Sequence, residues 1–177
     1  MAERLTTEQL KQLVINKANQ YGINPGIALA QIQRESGFRP DVVYGPFVGG
    51  AGERGMSQFT PATWARFGSG PHTNAYDPNL AMDAWGNYMV YLMGLFNGDY
   101  LKALIGYNGG EGHLTDPGRF GPPSAAAQAY GREIYAQAGF TADSVVSLDQ
   151  IGVVPSEFPM WLLIGGIGVL VWFAFSD

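Results

Sequence analysis

Glu35 is the residue best placed for acid–base chemistry. It ends an apolar helical stretch, and at about a hundred degrees per residue it falls close to Ala28 and Ile32, at the edge of the apolar face. A carboxyl group there is partly desolvated, which disfavours its charged form and raises its pKa. The result is an acid still protonated near neutral pH and able to donate to a leaving oxygen such as that of a glycosidic bond. The same position also suits an ordinary surface glutamate paired with Arg34 or Arg39, so helix position alone does not decide between them. Gln58, just ahead of a helix start, can both donate and accept, which suits a sugar hydroxyl or acetamido group. Tyr107-Asn108 precedes two glycines and reads either as a polar pair for a ligand or as a packed aromatic with a turn-forming asparagine. Tyr130 aligns with Ala126 and Ile134 and is equally at home in a core. Four further acids, Asp41, Glu53, Glu111 and Asp116, lie in glycine-rich stretches. One of them about 6.5–9.5 Å from Glu35 could activate water, as in an inverting hydrolase. His72 and His113 lack partners at metal-ligand spacing and no Asp-rich calcium loop is present, so neither a metal nor another cofactor is expected.

Helices must position these groups. Thr6 and Gln9 form a capping box, after which Leu10, Leu13, Val14 and Tyr21 recur at helical spacing until Gly22. Asn24-Pro25 opens a second helix that runs to about Ser36 and is stopped by Gly37 and Pro40. Residues 37–57, rich in glycine, predict a loop or a short hairpin beside Glu35. Thr60-Pro61 opens a short helix to Phe67, and Asp77-Pro78 opens the longest. On the latter Ala81, Ala84, Trp85, Tyr88, Leu92, Leu95 and Phe96 mark one face, the expected central core helix. Asp99 caps a brief helix to Tyr107, and Ser124 caps a last one before Gly139. Six helical segments with short connections predict an all-α domain over residues 1–140.

The chain has 177 residues, enough for one such domain with an appendage. With a net charge of −5 and no Lys/Arg run, nucleic acid is a poor partner. The absence of cysteine excludes disulfides and thiolate metal sites. The N-terminus does not read as a secretory peptide. Residues 141–157 read as a linker. From Phe158 to Phe175 no charge occurs, Trp161 and Trp172 lie near the two ends, and about 18 such residues suffice to cross a bilayer. Residues 158–177 are therefore expected to form one C-terminal transmembrane helix, the alternative being a buried helix of a larger assembly.

The stretch Ala28 to Pro40, with Glu35-Ser36-Gly37-Phe38 after an apolar helix, resembles the catalytic motif of the soluble lytic transglycosylases, goose-lysozyme-like enzymes. Gly55-Met56-Ser57-Gln58 followed by Pro61-Ala62-Thr63 is similar to that family's Gly-Leu-Met-Gln-x-x-Pro-Ala-Thr. Ala103 through Tyr107-Asn108-Gly109-Gly110 is similar to its Ala-x-x-Ala-Tyr-Asn-Ala-Gly. The three motifs come in the family's order and cover roughly residues 8–138. Met56-Ser57 stands where the family has Leu-Met, and Ala81 where it has Asn after Asp77-Pro78. The resemblance implies a lysozyme-like α-helical domain and cleavage of peptidoglycan glycan strands between N-acetylmuramic acid and N-acetylglucosamine, with 1,6-anhydro ends. It further implies Glu35 as the catalytic acid and base, with substrate contacts at Ser36, Met56, Ser57, Gln58, Tyr107, Asn108 and Tyr130. A hydrolytic muramidase on the same fold and a non-catalytic sugar-binding assembly protein are the competing expectations. With the C-terminal span, the expected location is a membrane: that of a bacterial envelope, or of the virion of a membrane-containing bacteriophage, where domains of this family also occur and other virion proteins would be companions.

Overall fold

Prolines with fixed φ and no N–H to satisfy begin five helices at their first turn, and side-chain caps close the free N–H groups behind four of them. The computed structural model of the protein describes residues 4–140. Among them nine α-helices follow in order: α1 (Thr7–Gln20), α2 (Pro25–Ser36), α3 (Pro40–Val43), α4 (Pro61–Phe67), α5 (Pro78–Leu95), α6 (Tyr100–Gly109), α7 (Gly112–Thr115), α8 (Pro117–Phe120) and α9 (Ala125–Gln137). A 3-10 helix, His72–Tyr76, precedes α5. Thr6 and Gln9 form the reciprocal capping box of α1, and Asn24 accepts from Gly26 and Ile27 at the start of α2. Gly37, left-handed at φ 58, ends α2 one residue past Ser36 and so fixes how far Glu35 lies from the helix end.

α5 runs through the core, with Ala81, Met82, Trp85, Met89 and Leu92 fully buried. Each such large side chain contributes roughly 1.5–3 kcal/mol of apolar burial. α1, α4 and α6 pack on α5, while α2 lies against α1 on one side and α9 on the other. The buried side chains form two clusters: a large one around Trp85 and Phe59, and a smaller one of Ile27, Leu104, Tyr130 and Ile134. α2 serves both, sending Ala28 and Ile32 into the first and Ile27 into the second. The described residues belong to one compact unit.

Two expectations are corrected. Between Gly37 and Ser57 no hairpin forms; the segment holds the four-residue helix α3, and a single antiparallel bridge joins its Arg54 to Phe59 just beyond it. Over the described residues the fold class is all-α, and no helix there is long and apolar enough to cross a membrane, which corrects the expected all-α fold with an added transmembrane helix. The expected membrane location rested on that helix alone and has no support among the described residues. The stretch 158–177 on which it was placed, and the linker 141–157, lie outside the described residues.

The turn inside the bridge is tightly built. Gly55 adopts φ +71, and a Cβ there would stand 1.8 Å from the carbonyl oxygen of Ala75. Strain at positive φ and a clash with backbone act together, so Gly55→Ala is expected to lower stability by roughly 2–5 kcal/mol. Urea denaturation measures this, and a loss under about 0.5 kcal/mol, the range of neutral surface changes, would contradict the close approach.

Candidate active site

Glu35 leaves the last turn of α2 partly buried, and its neighbours decide its acid strength. Burial is the largest influence and pushes the carboxyl from 4.5 up to about 7. The Tyr130 hydroxyl, which donates to Glu35 Oε1, and the Arg34 charge pull in the opposite direction, while the Glu53 charge pushes further up. Neither arginine forms an ion pair with Glu35. Arg34 reaches Glu133 at 3.6 Å, and Arg39 holds Asp41.

Glu35 opens onto a groove of about 230 Å³. The turn after the Arg54 bridge supplies Gln58 and Phe59, α4 and its cap supply Thr60 and Thr63, α5 supplies Tyr88, and α6 ends in Tyr107 and Asn108. Glu53 lines the same space and its carboxylate accepts from the Ala51 N–H at 2.9 Å. The Tyr107 hydroxyl donates to the Ser57 carbonyl at 2.7 Å, which ties α6 to the turn that carries Gln58. The Gln58 side-chain amide in turn donates to the Gly55 carbonyl at 2.8 Å and keeps its carbonyl oxygen for other partners. Burial first, and then the Glu35 charge, pushes the Tyr107 hydroxyl well above its ordinary range, so it stays a neutral donor.

Glu35, Gln58, Tyr107 and Asn108 therefore meet at one groove. Tyr130 lies beneath it, buried, and touches Glu35. Ser36, Met56 and Ser57 turn inward. The Ser36 hydroxyl donates to the Ile32 carbonyl and accepts from the Phe38 N–H, Met56 is fully buried, and the Ser57 hydroxyl reaches the Ala81 carbonyl at 3.4 Å. Of the four extra acids, only Glu53 lines the groove. Glu111 is held by Arg66 and accepts from Tyr88, Asp41 pairs with Arg39, and Asp116 caps α8. Thr60 and Tyr88 at the groove carry no sequence signal beyond a helix cap and a core stripe, whereas Thr63 ends the second motif. Gln31 does carry one, being a polar residue at a core position of the α2 period. Among the described residues no three His, Asp or Glu side chains converge as a metal ion would need.

Residues 12–120 match the family described as Transglycosylase SLT domain. The chain belongs to that family. In sequence, the SLT domain is 43% identical over 70 residues to a protein of Escherichia phage T7 named peptidoglycan transglycosylase gp16, a stretch that makes up 37% of this chain and 5% of the phage protein. In shape it is similar to an inactive mutant of the lytic transglycosylase Slt from Pseudomonas aeruginosa, with a TM-score of 0.59 at 19% identity over 72% of this chain and 23% of that one. The 70 kDa soluble lytic transglycosylase of Escherichia coli gives the same TM-score and identity over 76% of this chain and 24% of that one. The chain thus spans less than a quarter of the length of any of the three. At such identities the likeness in shape speaks for the fold alone.

The raised acid of the SLT domain has a thermodynamic consequence. Folded protein keeps the Glu35 proton up to about pH 7, whereas the unfolded chain releases it near 4.5. Stability from this group is therefore present below 4.5 and is lost as pH rises towards 7, by about 3 kcal/mol in all. Glu35→Gln, which mimics the neutral acid, is expected to be more stable than the parent by about that amount at pH 8 and near-neutral in effect at pH 4. Thermal unfolding of both proteins at the two pH values measures it; equal differences at both would mean that the carboxyl is solvated.

Proposed function

We propose that residues 1–140 form a peptidoglycan lytic transglycosylase domain that cuts the β-1,4 bond between N-acetylmuramic acid and N-acetylglucosamine. The observation that carries this reading is Glu35, sheltered to a pKa of about 7 and opening onto a groove with Gln58, Tyr107 and Asn108. Membership of the SLT domain family and the name of the phage T7 relative support it. That relative also supports a use in local cell-wall opening by a bacteriophage.

In this mechanism the Glu35 carboxylic acid protonates the bridging oxygen, and the bond from the muramoyl C1 to that oxygen breaks with its electron pair leaving on the glucosamine. The substrate's own 2-acetamido oxygen stabilises the cation developing at C1, so no second carboxylate has to attack. The Glu35 carboxylate then takes the proton of the muramoyl C6 hydroxyl as O6 bonds to C1. The acid is regenerated and no water is consumed. Asn108 and Gln58 bind the acetamido and hydroxyl groups, Tyr107 fixes the turn between them, and Tyr130 aims the acid. Ser36, Met56 and Ser57 act from inside, holding the end of α2 and the turn.

Glu53 favours a second reading, because its carboxylate lines the same groove and could position a water for hydrolysis. Mass spectrometry of fragments from digested sacculi separates the two. Transglycosylation gives muropeptides lighter by one water than those of hydrolysis, and reducing-end fragments alone would exclude the first reading. Glu35→Gln should cut the rate by about 10²–10⁴-fold with the fold intact; unchanged lysis would remove Glu35 from the chemistry. Since the reaction starts from protonated Glu35, kcat/KM should fall above about pH 7. Glu53→Gln removes a charge that raises Glu35, so this fall should move to lower pH while the anhydro product persists. A product changed to reducing ends, or abolished turnover, would make Glu53 a catalytic base.

A further inference from the structure

Beneath Glu35 a chain of buried polar groups crosses from one core cluster to the other. Trp85 on α5 donates its Nε1–H to Gln31 Oε1 at 3.0 Å, the Gln31 side-chain amide donates to the Tyr130 hydroxyl oxygen at 3.2 Å, and the Tyr130 hydroxyl donates to Glu35 Oε1. Trp85 and Gln31 are fully buried, and Tyr130 is 5% exposed. Gln31 and Glu35 are four residues apart and share one face of α2.

Each bond has only one possible direction. An indole N–H can only donate, so Trp85 fixes which end of the Gln31 amide is its oxygen and turns the NH₂ group towards Tyr130. The Tyr130 oxygen then accepts from Gln31. If it also accepted from Glu35, its own proton would be left without a partner inside the protein, which buried polar groups avoid. Tyr130 must therefore donate to Glu35 Oε1. An acid proton on that oxygen would collide with the donated one, so in the carboxylic acid it resides on Oε2, the oxygen that Tyr130 leaves free.

The geometry points to Gln31, oriented by Trp85, as a positioning residue that acts through Tyr130 to keep the acid proton of Glu35 on the oxygen available to substrate. This rests on the reading of Glu35 as the proton donor to the glycan. Without Gln31 the acceptor side of the Tyr130 oxygen is empty, so donating to Glu35 is less strongly preferred over accepting from it. A fraction of the acid would then point its proton into the core. Gln31 also polarises the Tyr130 O–H by donating to its oxygen, so its loss weakens the bond that favours the Glu35 carboxylate. The charged and titratable groups facing Glu35 are Arg34 on its own helix, Glu53 from the loop, Tyr107 on α6 and Tyr130 on α9. Neither Gln31 nor Trp85 is among them.

The test uses the full chain with Gln31→Met, close in volume and without the amide, and Trp85→Phe, which frees the amide to flip. Circular dichroism checks folding, carboxyl ¹³C NMR follows the Glu35 titration, and kcat and KM are measured on soluble glycan strands. In Gln31→Met the Glu35 titration should move upward by about half a pH unit. Its kcat should fall by about tenfold, the rate equivalent of one neutral hydrogen bond, with KM unchanged. Trp85→Phe should move both in the same direction by less, and it decides the matter if Gln31→Met does not fold. A folded variant with an unmoved Glu35 titration overturns the proposal, even if kcat falls, because that is the outcome for a glutamine that only packs. A parent chain without glycan-cleaving activity whose Glu35 titration still moves in Gln31→Met would sink the proposed function and leave the hold of Gln31 on Glu35 intact.

Discussion

Keeping one carboxyl group short of water at the edge of an open groove is the constraint on which the rest of this structure depends. Burial lifts Glu35 towards neutrality, and the packing that provides the burial must also bring Tyr130 under it. That second demand fixes α9. Its Gly131 faces Ile105 of α6 so closely that a Cβ there would stand 2.7 Å from the isoleucine side chain, and Ala127 meets Gly109 in the same way at 2.8 Å. Small residues on both helices let α9 lie close on α6, and this approach delivers the tyrosine hydroxyl to the end of α2. Helix packing at this face thus acts directly on acid strength.

The opposite wall of the groove is held through backbone. Tyr107 donates to a main-chain carbonyl, that of Ser57, and Gln58 to that of Gly55, so the turn is fixed without using the side chains of Met56 or Ser57. This explains how the chain tolerates its departures from the usual motif. Met56 and Ser57 point into the core, where size and hydrogen bonding matter and contact with sugar does not. Two of the departures are also neighbours: the Ser57 hydroxyl reaches the carbonyl of Ala81, the residue that replaces the family's asparagine. A polar group lost from α5 and one gained on the turn lie side by side.

What could be read from the sequence follows from how local each signal is. Caps and first-turn prolines at Thr6, Asn24-Pro25, Thr60-Pro61, Asp77-Pro78, Asp99 and Ser124 fall where helices begin, because capping is satisfied within three or four residues. The helices α3, α7 and α8 are four residues long, too short to carry a period, and Pro40, a stop signal for the helix before it, also opens α3. The convergence of Glu35 with Gln58, Tyr107 and Asn108 came from ordered motifs, since nothing local joins residues so far apart. The inward turn of Ser36 and Ser57 could not be read, because a small hydroxyl suits a ligand, a cap and a core contact equally. Gln31 shows in the sequence as a polar residue at a core position, but its role does not. Its partners Trp85 and Tyr130 are 54 and 99 residues away, and a lone glutamine in an apolar period gives no hint of them.

A reaction run by one carboxyl group sets narrow limits on that group. It must give a proton to one oxygen and take one from another in the same cycle, so it works best when neither form is strongly preferred at the working pH. Burial alone would overshoot, leaving an acid that donates poorly and a site that costs stability. Tyr130 and Arg34 moderate it, and Glu53 pushes back, so the position near 7 is a balance among four contributions from three parts of the chain. On this view a second carboxylate in the groove has a use that involves no bond to the sugar: its charge keeps the first one protonated. The buried amide of Gln31 belongs to the same balance, because strengthening the tyrosine's donation lowers the acid while aiming its proton outward. Strength and direction are set by one hydrogen-bonded chain, and a change at any link of it alters both together.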